Sequence, residues 1–228
     1  MKNQNLKSKS SSVSEQGQNT NVTMHSREKQ PSVSEPAQNT NADRSAGIQK
    51  LVSIAMLCAV AYVSMALIRL KFMPGAPFLT YDPKDVVITL GGFLFGPLYA
   101  LCISVIVAFL EMITLSDSGP IGFVMQVVAT LAFAGTASLI YRRLHTKRGA
   151  MLGLLLGTIA MTLVMLLWNY LLTPLYLGTP RTEVVAMLAP IILPFNMIKG
   201  LLNSVILLFI YKPVVTTLRR TGLVPQSR

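Results

Sequence analysis

Apolar residues in this chain are gathered into long unbroken runs separated by short polar or proline-containing stretches. Runs of that length predict helices that cross a bilayer rather than the interior of a soluble domain. The first covers Leu51 to Ile68. A polar loop with prolines, Arg69 to Asp85, leads into a short second span from Val86 to Phe95, closed by Gly96-Pro97. The third runs from Leu98 to Leu115. After a turn at Ser116 to Gly119, the fourth opens at Pro120 and continues to about Tyr141. The fifth covers Ala150 to Leu172, and the sixth begins at Ile191 or Leu193 and ends at Ile210, with a second long loop expected between Pro174 and Pro190. Span two is short for a hydrocarbon core of about 30 Å, which takes about 20 helical residues. It is expected to be kinked or to share its depth with the neighbouring loop. The predicted fold class is all-α: a polytopic membrane protein, a six-helix bundle occupying residues 47–215.

Composition strengthens this picture, and charge orients it. Of the 228 residues 52% are hydrophobic and 13% charged, about half the charge usual for a soluble domain. The formal charge of +11 does not mark a nucleic-acid face, because the positives form no stripe beside aromatic residues. They lie in the N-terminal segment, in Arg142, Arg143, Lys147 and Arg148, and near the C-terminus in Lys212, Arg219, Arg220 and Arg228. With six spans all three groups fall on one side, which the positive-inside rule makes cytoplasmic. The predicted topology is N-in and C-in, in the cell membrane, with the loops at 69–85, 116–119 and 173–190 facing outward. Cys58 and Cys102 lie inside apolar runs without metal or redox spacing and are expected to pack.

Residues 1 to about 46 are Ser, Asn, Gln and Lys-rich and are expected to be disordered, since they cannot bury enough surface to offset ordering entropy. They carry a polar repeat, Ser11 to Asn21 and again Pro31 to Asn41, which reads as a duplicated linker. Residues 216–228 form a short basic cytoplasmic tail. Small residues recur four apart at Ala55 and Ala59 and at Gly149, Gly153 and Gly157. In lipid such faces bring helices close, either within the chain or against another membrane subunit.

Polar groups inside spans are costly, so they mark where chemistry would sit. Glu111, Gln126 and Asn169 lie near the outer ends of spans three, four and five, and Asn196, Lys199 and Asn203 in the outer half of span six. All six fall on one side of the membrane. Asn196, Lys199 and Asn203 stand at i, i+3 and i+7 on one helical face, with Lys199 about 8 Å below Pro194. Structural alternatives stand beside a ligand role. Lys199 could pair with Glu111, Asn169 could bond between helices, and Trp168 and Tyr170 could belong to an interfacial belt. Asp82, Lys84 and Asp85 are expected to cap the second span.

Enzyme chemistry lacks its parts: His25 and His145 lie outside the spans, and Glu111 is the one carboxylate well inside them. No GxxxxGK[ST] loop occurs, so any transport must be energised by another chain.

Four stretches carry a family resemblance: FLTYDPKDV (Phe78 to Val86), GGFLFGPLYA (Gly91 to Ala100), WNYLLTPLY (Trp168 to Tyr176) and LPFNMIKG (Leu193 to Gly200). With them, the region from about Leu51 to Val215 resembles the S components of energy-coupling factor (ECF) vitamin transporters, and within that group the riboflavin-specific members. The resemblance implies a six-helix protein that holds one vitamin in an outward cavity. It would work with a transmembrane T component and two cytoplasmic ATPases. It implies ligand contacts at Asn169, Asn196 and Lys199, and a T-component contact at the AxxxA pair Ala55 and Ala59; Glu111, Gln126 and Asn203 join the candidate site on position. No cofactor is implied, riboflavin being the transported ligand. A flavin suits these groups: amides and a lysine can address its ring edge, and Tyr81 or Trp168 its flat face. Thiamin or another vitamin could use the same inventory, and a purely structural membrane protein remains the reading from another class.

Overall fold

A computed structural model describes residues 37–76, 78–115 and 119–220. Among these the fold is helical without strands, in agreement with the all-α expectation. Eight α-helices form six rods: α1 (Ala37–Leu67), α2 (Lys84–Phe95), α3 (Pro97–Thr114), α4 (Gly119–Thr130) continued by α5 (Thr136–Leu144), α6 (Lys147–Leu177), and α7 (Arg181–Met187) continued by α8 (Leu193–Arg220). A wide π-helical turn joins each continued pair, at Leu131–Gly135 and at Leu188–Ile192. Five rods are long and apolar enough to cross a membrane.

The exception is α2, whose 12 residues rise about 18 Å against a core of about 30 Å. Every residue from Lys84 to Phe93 is buried, with α2 enclosed by α1, α3, α5 and α8. It needs no lipid-facing side, which suits a sequence apolar all round. At its C-terminal end Gly96 adopts φ 105°, a conformation that glycine reaches without Cβ strain, and Pro97 starts α3 at once. The same end is closed by aromatics: Phe93 stacks on Tyr141 with centroids 4.4 Å apart, and the Tyr141 and Tyr211 hydroxyls lie 2.6 Å apart. The exposed Arg142, Arg143, Lys147 and Arg148 surround it.

Three expectations change. The segment from 173 to 190 is mostly helix: α6 runs on through Pro174 to Leu177, Gly178 turns with φ 64°, and α7 starts at Arg181. Pro190 falls in the second π-helical turn, where wider winding accommodates its missing N–H and ring. The helix of span one begins at Ala37, inside the segment read as disordered, because a spanning helix once formed extends at little cost through residues without a breaker. Span six likewise runs to Arg220, into the segment read as a separate tail. The first copy of the polar repeat and the start of the second lie outside the described residues, as do the turn at 116–118 and residues 221–228.

One row on α6 shapes the bundle. Gly149, Gly153, Gly157, Met161, Met165, Asn169 and Thr173 follow each other at i+4, a single ridge that is buried throughout. A Cβ on Gly153 would stand 2.8 Å from the Ala137 carbonyl oxygen, and one on Gly157 2.6 Å from that of Phe133. The glycines therefore let α6 touch the backbone of the rod beside it, and their role is internal packing. Further along the ridge long side chains replace glycine, and the gap to α4 opens. Gly157→Ala is expected to destabilise the detergent-purified protein by about 1–3 kcal/mol, because a rigid carbonyl must move. Gly47→Ala, with nothing within 4 Å of the new methyl, is expected to leave the melting temperature unchanged or slightly raised.

Candidate functional site

The gap between α4 and α6 is part of a cavity of about 570 Å³, at the end of the bundle opposite the aromatic closure. α3, α4, α6, α7 and α8 contribute wall residues, and the loop between α1 and α2 folds over the top through Gly75, Phe78, Leu79 and Thr80. That loop is closed at its base by a two-residue antiparallel bridge, Leu70 N–H to Tyr81 O at 3.0 Å and Tyr81 N–H to Leu70 O at 2.9 Å. Arg69 adds a hydrogen bond from Nη1 to Leu115 O at 2.7 Å.

Five residues singled out from the sequence meet on the cavity wall: Glu111, Gln126, Asn169, Asn196 and Lys199. Two do not. Tyr81 lies behind the wall, packed with Ala76, Leu79, Ile192 and Phe195, and its buried hydroxyl has no hydrogen-bond partner among the described residues. Asn203 lies one turn beyond Lys199, fully buried, with neither amide atom hydrogen-bonded among the described residues. Trp168 is also absent from the wall, and Tyr170 carries the Arg181 guanidinium 5.0 Å from its ring centroid.

The wall amides are oriented by their own helices. Asn169 Nδ2 donates to Met165 O at 2.7 Å, and its Oδ1 accepts from Thr173 Oγ1 at 2.8 Å. Asn196 Nδ2 donates to Ile192 O at 2.8 Å, a carbonyl of the π-helical turn. Each amide keeps hydrogen-bonding capacity beyond these contacts, so the cavity presents donors and acceptors held in place before a ligand arrives.

Beneath the amides lies a buried ion network that the sequence reading missed. Lys84 Nζ is 2.8 Å from Glu111 Oε2 and 3.2 Å from Asp82 Oδ2. Lys199 Nζ is 3.3 Å from Asp82 Oδ2 and 3.6 Å from Asp85 Oδ2, and Arg69 Nη2 is 3.7 Å from Glu111 Oε1. Thr130 Oγ1 donates to Asp85 Oδ1 at 2.6 Å. Three cations therefore face three carboxylates. The expected caps are not formed: no side chain caps α2, and Asp82, Lys84 and Asp85 spend their charges in this network. The structural pairing of Lys199 with Glu111 gives way to a different one, Lys199 with the two aspartates and Glu111 with Lys84 and Arg69.

The other wall residues missed from the sequence are methionines: Met112, Met125, Met161, Met165 and Met187, joined by Phe123 and Phe195. Flexible, polarisable thioethers conform to a flat aromatic face. The signal was present in the i+4 ridge, where Met161 and Met165 lead directly to Asn169.

Comparison with known proteins agrees with this geometry. Residues 49–211 match the family model described as ECF transporter, substrate-specific component. The riboflavin transporter FmnP of Bacillus subtilis (strain 168) is 33% identical over 174 residues, covering 72% of this chain and 90% of the relative. The riboflavin transporter RibU of Staphylococcus aureus (strain TCH60) is 31% identical over 179 residues, covering 75% and 93%. A solved structure of the S component of a bacterial ECF transporter superposes with a TM-score of 0.64 at 32% identity, covering 75% of this chain and 98% of that one. The chain belongs to the substrate-specific, or S, components of ECF transporters.

Proposed function

We propose that the cavity binds riboflavin and that the protein is the riboflavin-binding subunit of an ECF importer. The observation that carries this reading is the wall itself: fixed amides and an ammonium at Asn169, Asn196 and Lys199 share a cavity of about 570 Å³ with methionines and phenylalanines. That volume lies in the range of about 300–1,000 Å³ usual for small-molecule sites. The soft apolar side chains suit the flat ring, and the polar ones suit its carbonyls and nitrogens. Thr80, Thr173, Thr179 and Gln126 offer hydroxyl and amide partners to a ribityl chain. The relatives named as riboflavin transporters support the same ligand. The exposed cluster Arg142, Arg143, Lys147 and Arg148 lies at the far end of the bundle and outnumbers Lys71 and Arg181 at the cavity end, so the positive-inside rule favours an outward-facing cavity with both termini in the cytoplasm.

Titration of detergent-purified protein with riboflavin is expected to give saturable quenching of flavin fluorescence. Asn169→Ala and Asn196→Ala are each expected to weaken binding by about tenfold while the protein still melts cooperatively. Indifference of the wild-type protein to riboflavin would end this assignment.

The ligand-bound subunit is proposed to engage a transmembrane T component, with two cytoplasmic ATPases supplying energy. Ala55 and Ala59 are exposed on α1, and Ala59 floors a shallow groove with Val60, Val63, Ser64, Leu67 and Ile68. Small residues such as Ala55, Ala59 and Ser64 on that face let a partner helix approach closely where lipid gives no hydrophobic drive. Ala59→Trp is expected to leave riboflavin affinity unchanged and to abolish both co-purification of the T component and cellular uptake. Uptake at the wild-type rate would move the partner contact elsewhere.

A further inference from the structure

Lys199 lies on the cavity wall while charged and only 5% exposed, so its placement needs support. An isolated ammonium at that depth is strongly unfavourable, so its position is set by its counter-charges. Asp82 Oδ2 is one, but the same oxygen also serves Lys84. Asp85 is different. Its Oδ2 lies 3.6 Å from Lys199 Nζ and accepts no hydrogen bond among the described residues, and Lys199 is the one cation paired with it there. Its other oxygen accepts from Thr130 Oγ1 at 2.6 Å, which fixes the carboxylate plane from α4. Asp85 also sits in the first turn of the central helix α2, where the helix dipole favours a negative charge. Neither Asp85 nor Thr130 reaches the cavity wall, whereas Lys199 does.

We infer that Asp85, its carboxylate set by Thr130, is the positioning residue for Lys199, holding the ammonium at the cavity floor with donor capacity turned toward the ligand. The inference rests on the flavin-binding reading above. An ammonium has three donors, and Asp82 takes one, so an acceptor on a bound ring can take another without Lys199 leaving its carboxylates. The backing carboxylates also cancel the charge offered to the cavity, which suits an uncharged ligand. Thr130 immediately precedes the π-helical turn at Leu131–Gly135, so a departure from regular winding starts where the hydroxyl must meet Asp85.

The test is a double-mutant cycle with two readouts, riboflavin dissociation constant and ligand-free melting temperature. Asp85→Asn is expected to weaken binding by about tenfold. Thr130→Val should weaken it by a smaller factor and Thr130→Ser restore it, since serine keeps the donor. In a Lys199→Met background Asp85→Asn should cause no further loss of affinity. It should also raise the melting temperature above that of Lys199→Met, because it removes a stranded carboxylate. Equal losses of affinity in both backgrounds, or wild-type affinity for Asp85→Asn, would overturn the inference. If the wild-type protein ignored riboflavin, the flavin reading would fail. The melting cycle would then judge the positioning alone, with additive losses overturning it.

Discussion

Burying charge at membrane depth is the constraint on which this structure turns. Each ion removed from water carries a penalty of several kcal/mol, and removing one member of a buried pair leaves about 3–5 kcal/mol uncompensated. The chain meets the constraint by balance: Arg69, Lys84 and Lys199 against Asp82, Asp85 and Glu111. The six residues come from the base of the long loop, from α2, α3 and α8, so the network also fixes how those elements sit against one another. Its stability contribution is secondary to its geometry, since a buried ion cluster is weak evidence for net stabilisation. What it secures is one arrangement, with Lys199 at the cavity floor and the loop base pinned by Arg69 and Asp82.

Space for the cavity arises by a complementary route along α6. The i+4 ridge begins as glycine and brings α6 onto backbone carbonyls at Phe133 and Ala137. It continues as Met161 and Met165, and ends as Asn169 and Thr173. Tight packing at one end and divergence at the other follow from side-chain size along a single row. The two π-helical turns lie on two of the rods that line the cavity: one follows Thr130, and the other supplies the Ile192 carbonyl that orients Asn196. Site and scaffold are thus parts of one packing arrangement, and the loop over the top completes the enclosure.

Much of this was legible in the residues. Uninterrupted apolar runs predict the spans, and Gly96-Pro97 marks the break between α2 and α3. The cost of polar side chains in lipid picked out five residues that share the cavity wall. The i, i+3, i+7 spacing on span six puts Asn196 and Lys199 on the cavity wall and Asn203 one turn beyond it, buried away from the wall. Tyr81 belongs in sequence to the loop, and nothing local shows that its side chain packs behind the wall against Ile192 and Phe195. The Asp82-Pro83-Lys84-Asp85 stretch has the composition of a helix cap, and nothing local reveals that α2 starts inside the bundle rather than at its surface. Partners such as Lys84 with Glu111 are 27 residues apart, and Lys199 with Asp82 117 apart, so pairing is a property of the fold. The helical segment after Pro174 was hidden because proline usually ends a helix, and here α6 carries one within its last turns.

The most direct measurement is an experimental structure of the full chain purified with riboflavin. The account predicts flavin density between α4 and α6, with the ring edge within hydrogen-bond distance of Asn169, Asn196 and Lys199 and its face against Met161 and Met165. Lys199 should remain beside Asp82 and Asp85 in that structure. Flavin density outside this cavity, or a ring bound within it but out of reach of all three polar residues, would contradict the central claim.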